Sequence, residues 1–322
     1  MKAIMNRFSK LLAICCTVVL LAGCEEPKPL SLKEIQEIKN QVNQSGKITH
    51  NQAVVLSRVT YLMLNGLNSL TESQAKVLCK GQALLVLDGL TSITDRQAKS
   101  LSNVLSLSLD GLTAITDQQA YSLSRVNKLS LKGLISITDE QAEDLGKVKD
   151  YLNISSLTSI TDEQTESLSN ISNLKLSGLT SITDEQAESL SKVELLNLNG
   201  LTALNNQQAE SLSNIGSLTL SGLTSITDRQ AESLSKVETL YLDGLTSITD
   251  EQAESLSKVG WLSLNGLPSI TDEQAENLSK VETLFLDGLT SITDRQTESL
   301  SKVETLYISD TCRPLIDKYK KP

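Results

Sequence analysis

The chain has 322 residues, 39% apolar, 21% charged and 3% aromatic, with a formal charge of −10. A single histidine, His50, excludes His-based metal sites, Ser/His/Asp triads and Cys/His dyads everywhere except around that residue. The acidity argues against nucleic acid, whose phosphates require a basic footprint.

Residues 1–24 read MKAIMNRFSKLLAICCTVVLLAGC. Lys2, Arg7 and Lys10 precede the apolar run Leu11 to Ala22, and losing these three cations would take the charge from −10 to −13. Twelve helical residues span about 18 Å, short of a hydrocarbon core about 30 Å thick, so the run fits an export signal better than a membrane span. Two of the five cysteines, Cys15 and Cys16, fall inside it. Residues 25–30 (EEPKPL) form a charged tether.

Next come Ile35, Ile38 and Val42, at helical spacing behind Ser31, which predict an N-terminal capping helix. Thr49 to Val59 is a half-copy of the motif that fills the remainder. A glycine after an L-x-L pair recurs from Gly66 to Gly288 in steps of 22 residues, two of them 23, with Ser156 and Asp310 in two of the slots. In the copy Val237 to Lys258 (VETLYLDGLTSITDEQAESLSK), Leu240 and Leu242 alternate as in a short strand, and Gly244 permits a turn away from it. Thr249 with Gln252 gives a capping box, and Ile248 with Ala253 a hydrophobic staple. Asp250 and Glu251 sit at the positive end of the helix and Lys258 at the negative end, while Ala253, Leu256 and Val259 make a narrow apolar stripe. So small a unit cannot bury enough surface to offset its chain entropy, so neighbours must stack, with strands in parallel and right-handed crossovers. The tail TCRPLIDKYKKP, interrupted by Pro314, promises poor cover for the last layer.

The string VxxLxLxGLxxI, running over residues 48–308, resembles the conserved segment of leucine-rich repeats, and the I-T-D before each helix resembles the cysteine-containing variant of F-box proteins. Leu245 replaces the Asn or Cys of those families, and no F-box is present. Leu21-Ala22-Gly23-Cys24 resembles a bacterial lipobox, so similarity to bacterial leucine-rich-repeat lipoproteins is closer. The resemblance implies an α/β horseshoe, strands on its concave face and short helices on the convex one. It also implies a diacylglycerol on Cys24 and cleavage before it. Several acyl chains would hold the protein firmly on a membrane, and Glu25 at the next position leaves the outer membrane open. The expected organisation is a signal over 1–23, a tether over 24–30, a helical cap and half-repeat over 31–58, about twelve repeats over 59–309 and a tail over 310–322.

On such strands the leucines point inward and the flanking residues outward. The two outward columns vary between copies and hold six of the eight aromatics that follow the signal: Tyr61, Tyr151, Tyr241, Trp261, Phe285 and Tyr307. With Ser263 these are the candidate ligand-binding residues. Tyr241, Trp261, Phe285 and Tyr307 fall on four successive strands, a band about 15 Å across at about 4.8 Å per strand. Two readings stand: a recognition surface, for which exposed aromatics are suited, or cross-strand packing in duplicated copies. The acids and amides before each glycine fit turn hydrogen bonding better than Ca²⁺, since Lys132 interrupts the row. Cys79 and Cys312 lie too many layers apart to bridge. No nucleophile, base and orienter converge, and no cofactor is implied. The sequence therefore predicts a non-catalytic, lipid-anchored binding protein of a bacterial envelope, with an unknown protein or cell-surface ligand as partner. The alternative is an inert structural spacer.

Overall fold

The computed structural model describes residues 31–81 and 83–319. Its strands are β1 (Tyr61–Met63), β2 (Leu84–Val86), β3 (Ser106–Ser108), β4 (Lys128–Ser130), β5 (Tyr151–Asn153), β6 (Asn173–Lys175), β7 (Leu195–Asn197), β8 (Ser217–Thr219), β9 (Thr239–Tyr241), β10 (Trp261–Ser263), β11 (Thr283–Leu286) and β12 (Thr305–Ile308). The helices are α1 (Leu32–Ser45), α2 (His50–Leu56), α3 (Glu72–Leu78), α4 (Asp95–Leu101), α5 (Asp117–Leu123), α6 (Asp139–Leu145), α7 (Asp162–Leu168), α8 (Asp184–Leu190), α9 (Asn206–Ser211), α10 (Asp228–Leu234), α11 (Asp250–Leu256), α12 (Asp272–Leu278), α13 (Asp294–Leu300) and α14 (Arg313–Tyr319).

Every strand pairs in parallel with the next in sequence, giving one open sheet of twelve strands among the described residues. The register follows the repeat without a slip, so Leu240 lies between Leu218 and Leu262. These central leucines are buried from Leu62 to Leu306. Strands repeat at about 4.8 Å whereas packed helices need about 8–10 Å, so a layer of each joined copy by copy must curve with the strands on the inner side.

Three leucines per copy fill the interior: Leu240, Leu242 and Leu245 in the copy above, all fully buried. Leu245, the departure from the known repeat families, closes a tight turn by donating its N–H to the Leu242 carbonyl at 3.1 Å. Ala253, Leu256 and Val259 meet them from the helix side, as their spacing predicts. Gly244 is required for a reason the sequence reading did not give. A Cβ on it would stand 2.2 Å from the Ser221 carbonyl oxygen and 2.6 Å from that of Leu223, both in the preceding copy. Close backbone approach between copies, rather than freedom to turn, excludes a side chain there. Positive φ occurs only at Gly46 and Gly81 among the described residues, the latter inside the first 23-residue step.

The predicted capping boxes form. Thr249 Oγ1 accepts from the Gln252 N–H at 3.0 Å, and Gln252 Oε1 accepts from the Thr249 N–H at 3.0 Å. Gln252 does more than cap. Its Nε2 donates to the Ile226 carbonyl at 2.9 Å and to Asp228 Oδ1 at 3.0 Å, both in the preceding copy. The same amide reaches back from Gln119, Gln186, Gln230, Gln274 and Gln296. These glutamines are buried and satisfied at both ends.

Helix α1 caps the first layer, with Val42 buried and Ile35 and Ile38 packed on the core. Ser31 and Glu34 form its capping box, and the hydrogen bonds from Ser31 hold the Glu34 carboxyl below its ordinary pKa. The C-terminal tail is better cover than its sequence suggests. Pro314 sits in the first turn of α14, where a missing N–H costs nothing, and Cys312 and Ile316 are buried against the last copy.

Gln252→Glu removes the amide that spans two copies and sets a carboxylate against the Ile226 carbonyl and Asp228. The expected loss is about 1–3 kcal/mol in urea denaturation, shrinking as the pH falls and the new carboxyl takes up a proton. An unchanged midpoint at neutral pH would show that the amide contributes no stability between copies.

Candidate ligand-binding face

Strand alternation sends Leu262 inward and leaves Trp261 facing out; in the next strand Leu284 is inward and Phe285 out. The register sets Trp261 beside Thr283 and Phe285 beside Tyr307. Three side chains from three consecutive strands thereby form one stack. The Trp261 and Phe285 rings lie 5.4 Å apart at 26°, and those of Phe285 and Tyr307 lie 4.3 Å apart at 3°. Trp261 is 39% exposed and Tyr307 43%, with Phe285 half-buried between them. The stack presents ring edges and an outer face to solvent at the C-terminal end of the sheet.

The predicted four-ring band therefore divides. Tyr241 is half-buried on β9 and, with Lys175, Leu195, Asn197 and Thr219, lines a shallow depression of about 250 Å³. Lys175 also places its Nζ 5.5 Å from the centre of the Tyr151 ring, a cation–π contact that ties Tyr151 to the rim of that depression. Tyr61 stands apart on β1 at the far end of the sheet, 68% exposed next to Met63. Lys175 and Leu195 had no distinguishing signal in the sequence beyond belonging to the variable columns.

Ser263 is not presented to solvent as expected of a ligand-binding residue. It is 2% exposed, its hydroxyl donates to Asp243 Oδ1, and it accepts from Asn265 Nδ2 at 3.0 Å. It lies in register between Tyr241 and Phe285, and its hydroxyl joins the turn network as those of Ser108 and Ser130 do. That network accounts for the acid and amide column: Asp243 Oδ1 accepts the Asn265 N–H at 3.1 Å, and Asn265 Oδ1 accepts that of Asp287 at 2.9 Å, one copy further on. Asp88, Asp110 and Asn199 repeat the bond. The column is a hydrogen-bonded ladder along the turns. No group of three or more His, Cys, Asp or Glu residues is placed to hold a metal ion among the described residues.

Cys79 and Cys312 are both free and buried. Burial pushes the Cys79 thiol up to about 12, the reverse of what a nucleophile needs. His50 is exposed at the first turn of α2. The expected lipid-attachment residue Cys24, with the signal and tether, lies outside the described residues. Among those described, no helix is long and apolar enough to cross a membrane.

No protein-family model matches the chain, and no curated protein does. Solved structures do. An internalin (InlF) of Listeria monocytogenes superposes with a TM-score of 0.53 at 16% identity, over 88% of this chain and 92% of that one. The leucine-rich repeat-containing protein LegL7 of Legionella pneumophila gives 0.50 at 17% identity, over 75% and 92%. The fold is a leucine-rich-repeat solenoid. At these identities the likeness extends to architecture alone, and the outward columns belong to this solenoid's own sequence.

In the folded solenoid both thiols should resist alkylation, reacting only after denaturation. Rapid labelling of Cys79 by iodoacetamide at neutral pH in the native protein would overturn its assignment as a buried, inert thiol.

Proposed function

We propose that this solenoid is an exported, lipid-anchored binding protein whose concave face docks a protein partner around the stack of Trp261, Phe285 and Tyr307. One observation carries the reading: the helix half is nearly constant between copies, while three large rings gather, in contact and partly exposed, on one stretch of the variable face. Stacked rings of fixed geometry bury much area on docking and lose little rotamer freedom, which suits them as anchors. Tyr241 and the depression beside Lys175 extend the face toward the middle of the sheet, with Tyr151 at its rim. Tyr61 adds a separate exposed ring at the other end. The anchor rests on the sequence: three cations, a twelve-residue apolar run and the Leu21-Ala22-Gly23-Cys24 box. It implies a bacterial envelope location.

The stack also favours a second reading, a structural spacer, because ring-on-ring contact stabilises adjoining strands whether or not anything binds. A photocrosslinking residue in place of Thr239, beside Trp261 on the same face, separates the two in the native host. Binding predicts defined crosslinked products in the wild type that vanish in Trp261→Ala/Phe285→Ala, with circular dichroism unchanged. The same products from both proteins, the variant merely melting lower, would establish the spacer. For the anchor, radiolabelled fatty acid should enter the wild type and be absent from Cys24→Ala; label persisting in that variant would place the acyl chain elsewhere or nowhere.

A further inference from the structure

The helix face carries a feature that the concave-face reading does not use. Between α3, α4 and the end of α5 lies an open depression of about 600 Å³, lined by Lys76, Lys80, Arg96, Lys99 and Arg125 against a single carboxylate, Glu72. Glu72 is already engaged, its Oε2 3.5 Å from Arg96 Nη1. Arg125 lies over the Tyr121 ring at 5.3 Å, which fixes its guanidinium at the margin. Lys76, Lys80 and Lys99 make no ion pair among the described residues. Asp95, the neighbour of Arg96, is engaged with the next copy, accepting from Thr116 Oγ1 at 2.9 Å.

This cluster departs from the pattern of the chain. Lys76 and Lys99 occupy the helix position that is Glu in eight successive copies, from Glu143 to Glu298. In those copies the Glu stands four residues before Lys or Asn, as Glu254 does before Lys258, and offsets the cation. Lys80 and Arg125 hold the ordinary C-terminal cation position, where the negative helix end explains them. Lys76 and Lys99 lie in the last turns of α3 and α4, where the same helix end favours them, and Arg96 recurs as Arg229 and Arg295; what sets this region apart is that all of these cations border one concavity. In a chain of net charge −10 they concentrate positive potential in one concavity, at the cost of like-charge repulsion between Lys76 and Lys80.

We infer that this depression binds a phosphate-bearing anion. Three or more cations that can converge on one tetrahedral group, with Arg96 and Arg125 offering planar paired donors and the lysines point charges, match phosphate better than a single carboxylate. Two sources share that chemistry: the headgroup of an anionic phospholipid and a soluble polyphosphate. The inference stands apart from the concave-face function and needs no acyl chain.

The repeat itself supplies the test. Lys76→Glu/Lys99→Glu installs the residue that the other copies carry, so the fold is expected to hold. The purified full chain is titrated calorimetrically with inorganic pyrophosphate at about 0.15 M salt, where only close contacts escape screening. In parallel it is mixed with phosphatidylcholine vesicles with or without phosphatidylglycerol, and lysine acylation is read by mass spectrometry. Binding by the wild type that falls at least about tenfold in the double variant, a loss of ~1.4 kcal/mol, supports the site. So does at least fivefold slower acylation of Lys76 and Lys99 relative to Lys192 and Lys302. Protection by pyrophosphate alone identifies a soluble ligand; protection by phosphatidylglycerol vesicles identifies a headgroup. No protection by either, or equal binding by wild type and variant, overturns the inference.

Discussion

A copy of 22 residues has a strand of three residues and a helix of two turns, and neither has a second layer of its own to pack against. Contact with the copies before and after therefore has to supply nearly all of the stability, and this constraint shapes almost every residue in the repeat. It explains why Gly244 admits no side chain: the Ser221 and Leu223 carbonyls of the neighbouring copy already occupy the space. It explains why each copy spends a buried amide on the carbonyl one layer back rather than leaving that oxygen dry. The cost of failure is high because a carbonyl orphaned between layers has no water to turn to.

The same constraint divides the sequence into what may vary and what may not. Leucine columns, capping threonines, bridging glutamines and turn acids all touch the copy next door, so a change in one must suit two interfaces. The outward strand positions and the outer helix surface are held less tightly, because solvent takes one side of each side chain there. Variation there carries information, and it is unevenly spread. The three stacked rings crowd the last three strands next to α14, whereas the uncompensated cations crowd the helices that follow α1 and α2. Both lie near an end of the solenoid.

Much of this was legible in the residues. Period-2 leucines placed the strands, the Thr and Gln pair placed each helix start, and the constant spacing gave the register that sets Trp261 beside Thr283. What escaped was whatever depended on the distance between copies. Gln252 reads as a local cap because its partner Thr249 is three residues away, while its second partner, Ile226, is 26 residues back. Ser263 reads as outward by alternation, yet it is buried with its hydroxyl bonded to Asp243 and Asn265. Pro314 reads as a break, though in the first turn of α14 it is harmless. The Lys76 and Lys99 substitutions were visible as letters, but the depression they line exists only once three helices stand side by side.

Charge along the helix face follows from stacking as well. Identical copies bring identical side chains next to each other, so a row of Glu from Glu143 onward would repel itself without a matching row of cations. Lys147, Lys192, Lys236, Lys258, Lys280 and Lys302 provide most of that second row. Lys147 shows the pairing directly, its Nζ 2.7 Å from Asp144 Oδ1 and 3.9 Å from Glu143 Oε1, and its pKa is raised by the Asp144 hydrogen bond first and by both negative charges after it. At Lys76 and Lys99 the acid of this arrangement is itself replaced by a cation, and its positive counterpart at Lys80 remains. The later copies stay net negative, as Asp250, Glu251 and Glu254 against Lys258 show, whereas around the depression five cations face Glu72 alone. That surplus borders one concavity, at helix positions where eight later copies carry Glu, which is why it stands out against an acidic molecule.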